Sequence, residues 1–189
     1  MAERGVDKTD LVLLLFYAPD HMGRRAAPMY GITRLEKLMF LLEKEGALAS
    51  FRDEFEFEAY RFGPFSTQVY DTLEALKGWG FLEMRSRSVR DYYAAAEVER
   101  LDEELSDEEG HVASTNDREG TEESPIREKV ITLTSRGRLL AERLTEKVGD
   151  EERAAIARIK QKYGRMSLRH LIAYVYETYP EYAVKSELV

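Results

Sequence analysis

Along the chain the spacing of apolar positions changes rhythm, and each change marks an element. Residues 11–18, "LVLLLFYA", are an unbroken apolar run and predict a first helix that starts near Thr9 or Asp10 and stops at Pro19. "PDHMGRRAAPMYG" follows, with two prolines and two glycines, and reads as a loop. Thr33 and Glu36 have the spacing of a capping box ahead of "RLEKLMFLLEKEG", which Gly46 closes. Residues 38–42 are all apolar, too many for one helical face, so this helix should be buried around most of its circumference.

The period then shortens. In "FEFEAYRFG", Phe55, Phe57 and Ala59 alternate with Glu56 and Glu58, which predicts a short half-buried strand broken at Gly63-Pro64. Ser66 is a good N-cap for a third helix, and Phe65 is placed to staple onto Tyr70. Val69, Leu73 and Leu76 fall on its inward face, leaving Gln68, Asp71, Thr72, Glu74, Ala75 and Lys77 outward. After Gly78 and Gly80, "FLEMRSRSV" returns to strand-like alternation. A second strand is expected over 129–133 and a helix capped by Thr134. Two more helices follow, "DEERAAIARIKQKYG" and "SLRHLIAYVYETYP", the latter capped by Ser167 and stopped before Pro180.

The expected fold class is α+β, mostly helical: a winged-helix-like domain over 1–147 and a C-terminal helical extension over 148–189. The extension would pack on the domain or form a dimer interface. One departure from a compact helix-turn-helix is visible, because about twenty residues separate the second and third helices where a turn of three or four is usual.

Charge changes this picture. The net charge is −8, but residues 1–96 carry −2, residues 97–128 carry −10 and residues 129–189 carry +4. The 97–128 block holds 13 acidic and 3 basic side chains with few large apolar residues, which predicts a mobile acidic insertion in the wing. Hung beside Arg85, Arg87 and Arg90, it would screen them from nucleic acid.

Other classes are excluded or disfavoured. There are no cysteines, so disulfides, thiolate zinc sites and Cys nucleophiles are out. The eight-residue apolar run falls short of the ~20 needed to cross a bilayer, and no cleavage site follows it, so a cytoplasmic chain without membrane attachment is expected. His21, His111 and His170 have no metal-ligand spacing, and no nucleophile elbow, phosphate-cradling loop or dinucleotide fingerprint occurs. No catalytic residue, metal or cofactor is expected.

"RLEKLMFLLEKEG" followed by "AYRFGPFSTQVY" resembles the helix and Gly-Pro segment of the Panacea antitoxin domain and the SocA-like proteins, over about residues 32–76. "VYDTLEALKGWGFLE" with "ITLTSRG" is similar to winged-helix regulators of the PadR and MarR type. The whole chain, including "YPEYAVKSEL", resembles the YwgA-like family of uncharacterised bacterial and archaeal proteins. These resemblances imply a non-enzymatic regulator whose post-wing helices can bury a second copy.

Two partners follow as expectations. For DNA, Thr67 and Gln68 would read base edges from the third helix, with Lys77, the wing residues Arg85, Arg87 and Arg90, and the loop residues Arg24 and Arg25 on phosphates. The outward face of that helix, with two carboxylates and one lysine, is poor for this, and the basic residues read equally well as ordinary solvated surface. For a protein partner such as a toxin, Tyr60, Arg61 and Phe62 have hot-spot composition beside a rigid turn. The same aromatics could instead pack the strand–helix corner. Tyr174, Tyr176, Tyr179 and Tyr182 would cover either a second copy or the chain's own core.

Overall fold

A computed structural model describes residues 6–46, 54–88 and 127–185. Arg90, His111 and all but the last two residues of the acidic 97–128 block lie outside the described residues, and so do the expectations placed on them. The described chain is α+β and mostly helical.

The first helix, α1 (Lys8–Tyr17), begins one or two residues before the expected start because Asp7 is the cap. Its side chain accepts from Asp10 N, and the Asp10 carboxylate accepts from Asp7 N at 3.2 Å. From the loop that follows, β1 (Met29–Tyr30) emerges, a strand the loop-like composition hid. Helix α2 (Ile32–Glu45) comes next, and residues 38–42 are all buried as expected.

The capping box read at Thr33 and Glu36 is not formed. Gly31 is the N-cap, and the Thr33 hydroxyl is buried without a hydrogen-bond partner among the described residues. Glu36 is drawn away by stronger donors: its carboxylate accepts from Lys37 Nζ at 3.0 Å and from Ser66 N at 3.1 Å. A buried carboxylate is satisfied better by an ammonium and an amide together than by one helix-terminus amide.

The strand expected through "FEFEAYRFG" is a hairpin instead. Glu56 adopts φ 48, which ends any extended run there, and the paired residues are β2 (Glu58–Tyr60) and β3 (Gly63–Phe65). Gly63-Pro64 therefore does not break the sheet but supplies its second strand. Phe55 and Phe57 pack inward, Phe57 edge-on to Phe40 at 5.3 Å. Helix α3 (Thr67–Gly78) starts at the Ser66 cap, and Phe65 lies 5.5 Å from Tyr70 in the expected staple. Val69, Leu73 and Leu76 face inward; Thr72, expected outward, is buried with them.

Strands β4 (Leu82–Ser88) and β5 (Arg127–Leu133) pair antiparallel, and β1 adds to β5, giving the order β1-β5-β4. Alternation sorts the two faces. Met29, Ile131, Leu82 and Leu133 turn to the core, while Tyr30, Glu83, Arg85, Arg87, Glu128, Val130 and Thr132 share the outer face. Helix α4 (Ser135–Lys147) is capped by Thr134, whose hydroxyl accepts from Gly137 N and donates to Gly80 O at 2.7 Å. A Cβ on Gly137 would lie 2.0 Å from the Phe81 carbonyl oxygen, so the Thr-x-x-Gly turn is what lets α4 close onto β4.

Helices α5 (Asp150–Tyr163) and α6 (Leu168–Thr178) follow, and α5 packs on both α1 and α2. Their buried residues (Ile156, Ile159, Leu171 and Val175) belong to the same core as Leu13, Leu38 and Leu73. The C-terminal tyrosines cover that core. Tyr179 and Tyr182 stand edge-on to Phe40 at 5.1 and 4.8 Å.

Candidate functional site

The expected DNA contacts are scattered in exposure and mostly engaged with neighbours. Thr67 is exposed at the start of α3, whereas Gln68 is half-buried and its side-chain oxygen accepts from Lys8 Nζ. Lys77 is exposed and donates to Glu74 at 3.0 Å. With Asp71 also outward, the exposed face of α3 presents little positive charge.

The outer face of the sheet is different. Arg85 pairs with Glu83 at 2.8 Å and Arg87 with Glu128 at 2.8 Å; both arginines and Glu83 are exposed, while the Glu128 side chain is 13% exposed. Glu128 is the last acid of the 97–128 block, and its partner Arg87 lies on β4. The Arg87 guanidinium also lies over the Tyr30 ring, 4.7 Å from its centre. In the α1–β1 loop, Arg25 lies over Tyr17 at 5.4 Å, and Arg24 is bound to Asp20.

Asp20 organises that loop. Its carboxylate accepts from Met22 N, Arg24 N and Arg24 Nε, each at 2.9 Å. Burial pushes its pKa up, but these hydrogen bonds and the Arg24 charge outweigh burial and bring it down to about 2.

Behind the loop is a cleft of about 390 Å³, walled by the α1–β1 loop, β1, the first half of α2 and the turn after α5. Four cations line it (Arg24, Arg34, Lys160 and Arg165) against one carboxylate, Asp20. Lys160 is only 5% exposed. Its ammonium donates to Phe16 O at 2.6 Å and Ala18 O at 2.8 Å, satisfying carbonyls that the end of α1 leaves without helical partners. Burial pulls its pKa down to about 8, with the Asp20 charge opposing. Arg34 donates to Met166 O at 2.6 Å, tying α2 to the α5–α6 turn. In the sequence Lys160 and Arg165 stand out only through the +4 charge of residues 129–189, and Arg34 does not stand out at all. The placement of a cation among helix-end carbonyls is a tertiary fact with no local signature.

The expected partner-binding trio is divided. Phe62 is 4% exposed and packs with Leu168 and Ile172, so it is not a docking residue. The reason is the hairpin, which turns Phe62 toward α6. Tyr60 is half-buried with its ring 5.0 Å from Phe65, and Arg61 alone of the three is exposed, 5.9 Å from the Tyr60 ring centre.

Two further polar clusters are structural in chemistry. Glu45 accepts from the hydroxyls of Tyr163, Tyr174 (2.8 Å) and Tyr179 (3.3 Å), closing the end of α2 onto α5 and α6. Burial and the Glu45 charge push the Tyr163 and Tyr179 phenols well above their ordinary range, the opposite of what a catalytic tyrosine base requires. The Glu36–Lys37 pair is buried beneath β3, where Lys37 also donates to Pro64 O at 2.7 Å.

Among the described residues no group of three His, Cys, Asp or Glu side chains could hold a metal ion, and no helix is long and apolar enough to cross a membrane. His170 Nδ1 is 2.9 Å from Ser167 Oγ, and His21 lies at the cleft. No protein-family model, curated protein or solved structure matches the chain.

Proposed function

We propose that this chain is a non-enzymatic, winged-helix-like regulator that binds DNA through the outer face of its sheet and the adjoining loop. The supporting architecture is the run α1, β1, α2, β2, β3, α3, β4, β5 with β1 laid against β5, which is the order of a winged helix once the β2–β3 hairpin between α2 and α3 is set aside. The observation that carries the reading is the convergence of the basic clusters. Arg87 lies over Tyr30, and Tyr30, Arg24 and Arg165 line one cleft, so wing, first loop and C-terminal turn adjoin a single surface.

The weak positive charge of α3 makes this a backbone-gripping mode, in which phosphates must displace Glu83 and Glu128 from their arginines. Binding to random duplex, followed by anisotropy over a salt series, tests it. Measurable affinity that falls steeply with salt is expected. Absence of binding at low salt rejects the reading.

A protein partner of antitoxin type is the second reading, and one feature favours it. Trp79 is 54% exposed at the end of α3, and Arg136 donates to its carbonyl while lying 4.9 Å over the Phe81 ring. Lys77, two residues before Trp79, is also exposed, so with Arg136 an acidic partner surface would be complementary. Trp79→Ala should abolish such a complex and leave binding to duplex unchanged.

A further inference from the structure

The cleft behind Tyr30 has features that a DNA track does not need. One lining residue is Lys160, only 5% exposed, whose ammonium is fixed by two main-chain carbonyls. Those carbonyls use two of the three donors of the ammonium, and one N–H is left over. Arg34 is half-buried and anchored through Met166 O, while Arg165 is exposed at the mouth. Opposing charge is weak, because the carboxylate in the wall, Asp20, already accepts from Arg24 and two amides. Apart from His21 and the Tyr30 ring, the remaining wall is apolar, with Met29 and Leu38 buried and Pro28 and Met166 beside them.

Concave sites that join an apolar wall to a few fixed polar groups are the form small-molecule pockets take. A duplex phosphate rides on the protein surface and does not reach a buried ammonium, whereas a phosphate at the end of a small molecule does. Arginine forks suit a phosphate's several oxygens, and lysine supplies a point charge beneath them.

We propose that this cleft is a binding site for a small phosphate monoester carrying a ring, the phosphate lying between Arg34, Lys160 and Arg165 and the ring against Met29 and Leu38. The site borders the surface of the DNA reading and shares Tyr30, Arg24 and Arg165 with it, but its ligand binds the protein alone. Tyr30 links the two: it lines the cleft on one side and meets Arg87 on the other, so an occupant would bear on a wing arginine.

Calorimetry with phenyl phosphate and with inorganic phosphate, on the full chain without DNA, tests the proposal. Phenyl phosphate should bind about ten-fold more tightly than inorganic phosphate, the difference being the ring. Arg165→Gln, at the exposed mouth, should weaken phenyl phosphate about ten-fold without loss of fold. Arg158→Gln, on helix α5 just before the turn that carries Arg165 and outside the cleft lining, should leave it unchanged. Lys160→Met should abolish binding, and because this residue also caps α1 its fold is checked by circular dichroism. No binding by the wild-type chain overturns the proposal, as does equal weakening by Arg165→Gln and Arg158→Gln, which would mean diffuse surface charge.

Discussion

Two regions of this molecule hold ion pairs of nearly equal length and opposite meaning. Beneath β3, Glu36 and Lys37 meet at 3.0 Å with each side chain 1% exposed. On the outer face of the sheet, Arg85–Glu83 and Arg87–Glu128 meet at 2.8 Å with both arginines exposed. Desolvation dominates the buried pair, raising the Glu36 pKa and lowering that of Lys37, and their attraction for each other opposes both shifts. The pair therefore stands or falls as a unit. It also has directional work, because Lys37 holds the Pro64 carbonyl and Glu36 holds the Ser66 amide, fixing both the hairpin and the start of α3. Apart from the contact of Arg87 with the Tyr30 ring, the outer pairs fix no main-chain group and are cheaper to part. Burial, not distance, separates a structural pair from one that can be exchanged for a phosphate.

The sharpest way to break the comparison is to remove one buried partner. Lys37→Met leaves the Glu36 carboxylate in the interior without its cation and should cost about 3–5 kcal/mol, measured by urea unfolding. Replacing both residues with Glu36→Leu and Lys37→Met should recover a good part of that loss, since an apolar pair carries no stranded charge. If the single variant costs less than the surface variants below, the buried pair is not the anchor.

Lys160 is a buried cation of a third kind, held by carbonyls, and its stability effect depends on pH. Its folded pKa is about 8 against 10.5 for the free side chain. Between those values the unfolded chain binds the extra proton, so stability should rise as pH climbs from about 8 toward 10.5. Below about 8 both states are protonated and the slope vanishes. Lys160→Met should flatten the alkaline rise in denaturation midpoints. On the acid side, the lowered pKa of Asp20 contributes stability above 3.8 that is lost as pH falls through about 2, and Asp20→Asn should remove that limb.

The hairpin over the buried pair offers a smaller test. Gly63 has φ +92, and a Cβ there would lie 2.8 Å from Tyr176 Cε1; Gly23 has φ +76 with open space around it. Gly63→Ala should cost about 1–3 kcal/mol through backbone strain and collision with the ring. Gly23→Ala should show only the strain. Equal costs at the two sites would mean that Tyr176 yields freely and that the hairpin is not seated on α6.

These results bear on what the sequence carried. Helix caps at Ser66, Thr134 and Ser167, the Phe65–Tyr70 staple and the inward Val69, Leu73 and Leu76 were legible because each depends on residues within a few positions. The Thr33–Glu36 capping box had the same local grammar and misled, because Glu36 was claimed by Ser66, thirty residues away. Strand β1 was hidden in a proline- and glycine-rich loop, since two residues become a strand only when β5 lies beside them. Phe62 read as a hot spot until α6 covered it. The cationic cleft was likewise invisible: its charges come from separate segments, and its deepest one, Lys160, looked like ordinary helix surface.

The smallest stability effect belongs to the outer face, where it is also most informative. Arg85→Ala with Arg87→Ala removes two exposed, screened ion pairs, and each should change stability by no more than about 0.5 kcal/mol. Arg87→Ala also takes the guanidinium off the Tyr30 ring, so its share should be the larger of the two. If these arginines grip duplex backbone, the same variant should weaken binding to all sequences about equally. The magnitude of the log K against log salt slope should then fall by about 0.9 for each phosphate no longer neutralised. Glu83→Gln with Glu128→Gln makes the opposite change, freeing both guanidinium groups without moving them, and should tighten binding at low salt. That gain should fade as added salt screens the carboxylates in the parent protein. Weakening by the arginine variant without strengthening by the glutamine variant would mean that the carboxylates orient the arginines rather than compete for them. Unchanged affinity in both would remove the outer face from the DNA reading, while the buried pair beneath β3 would still explain the fold.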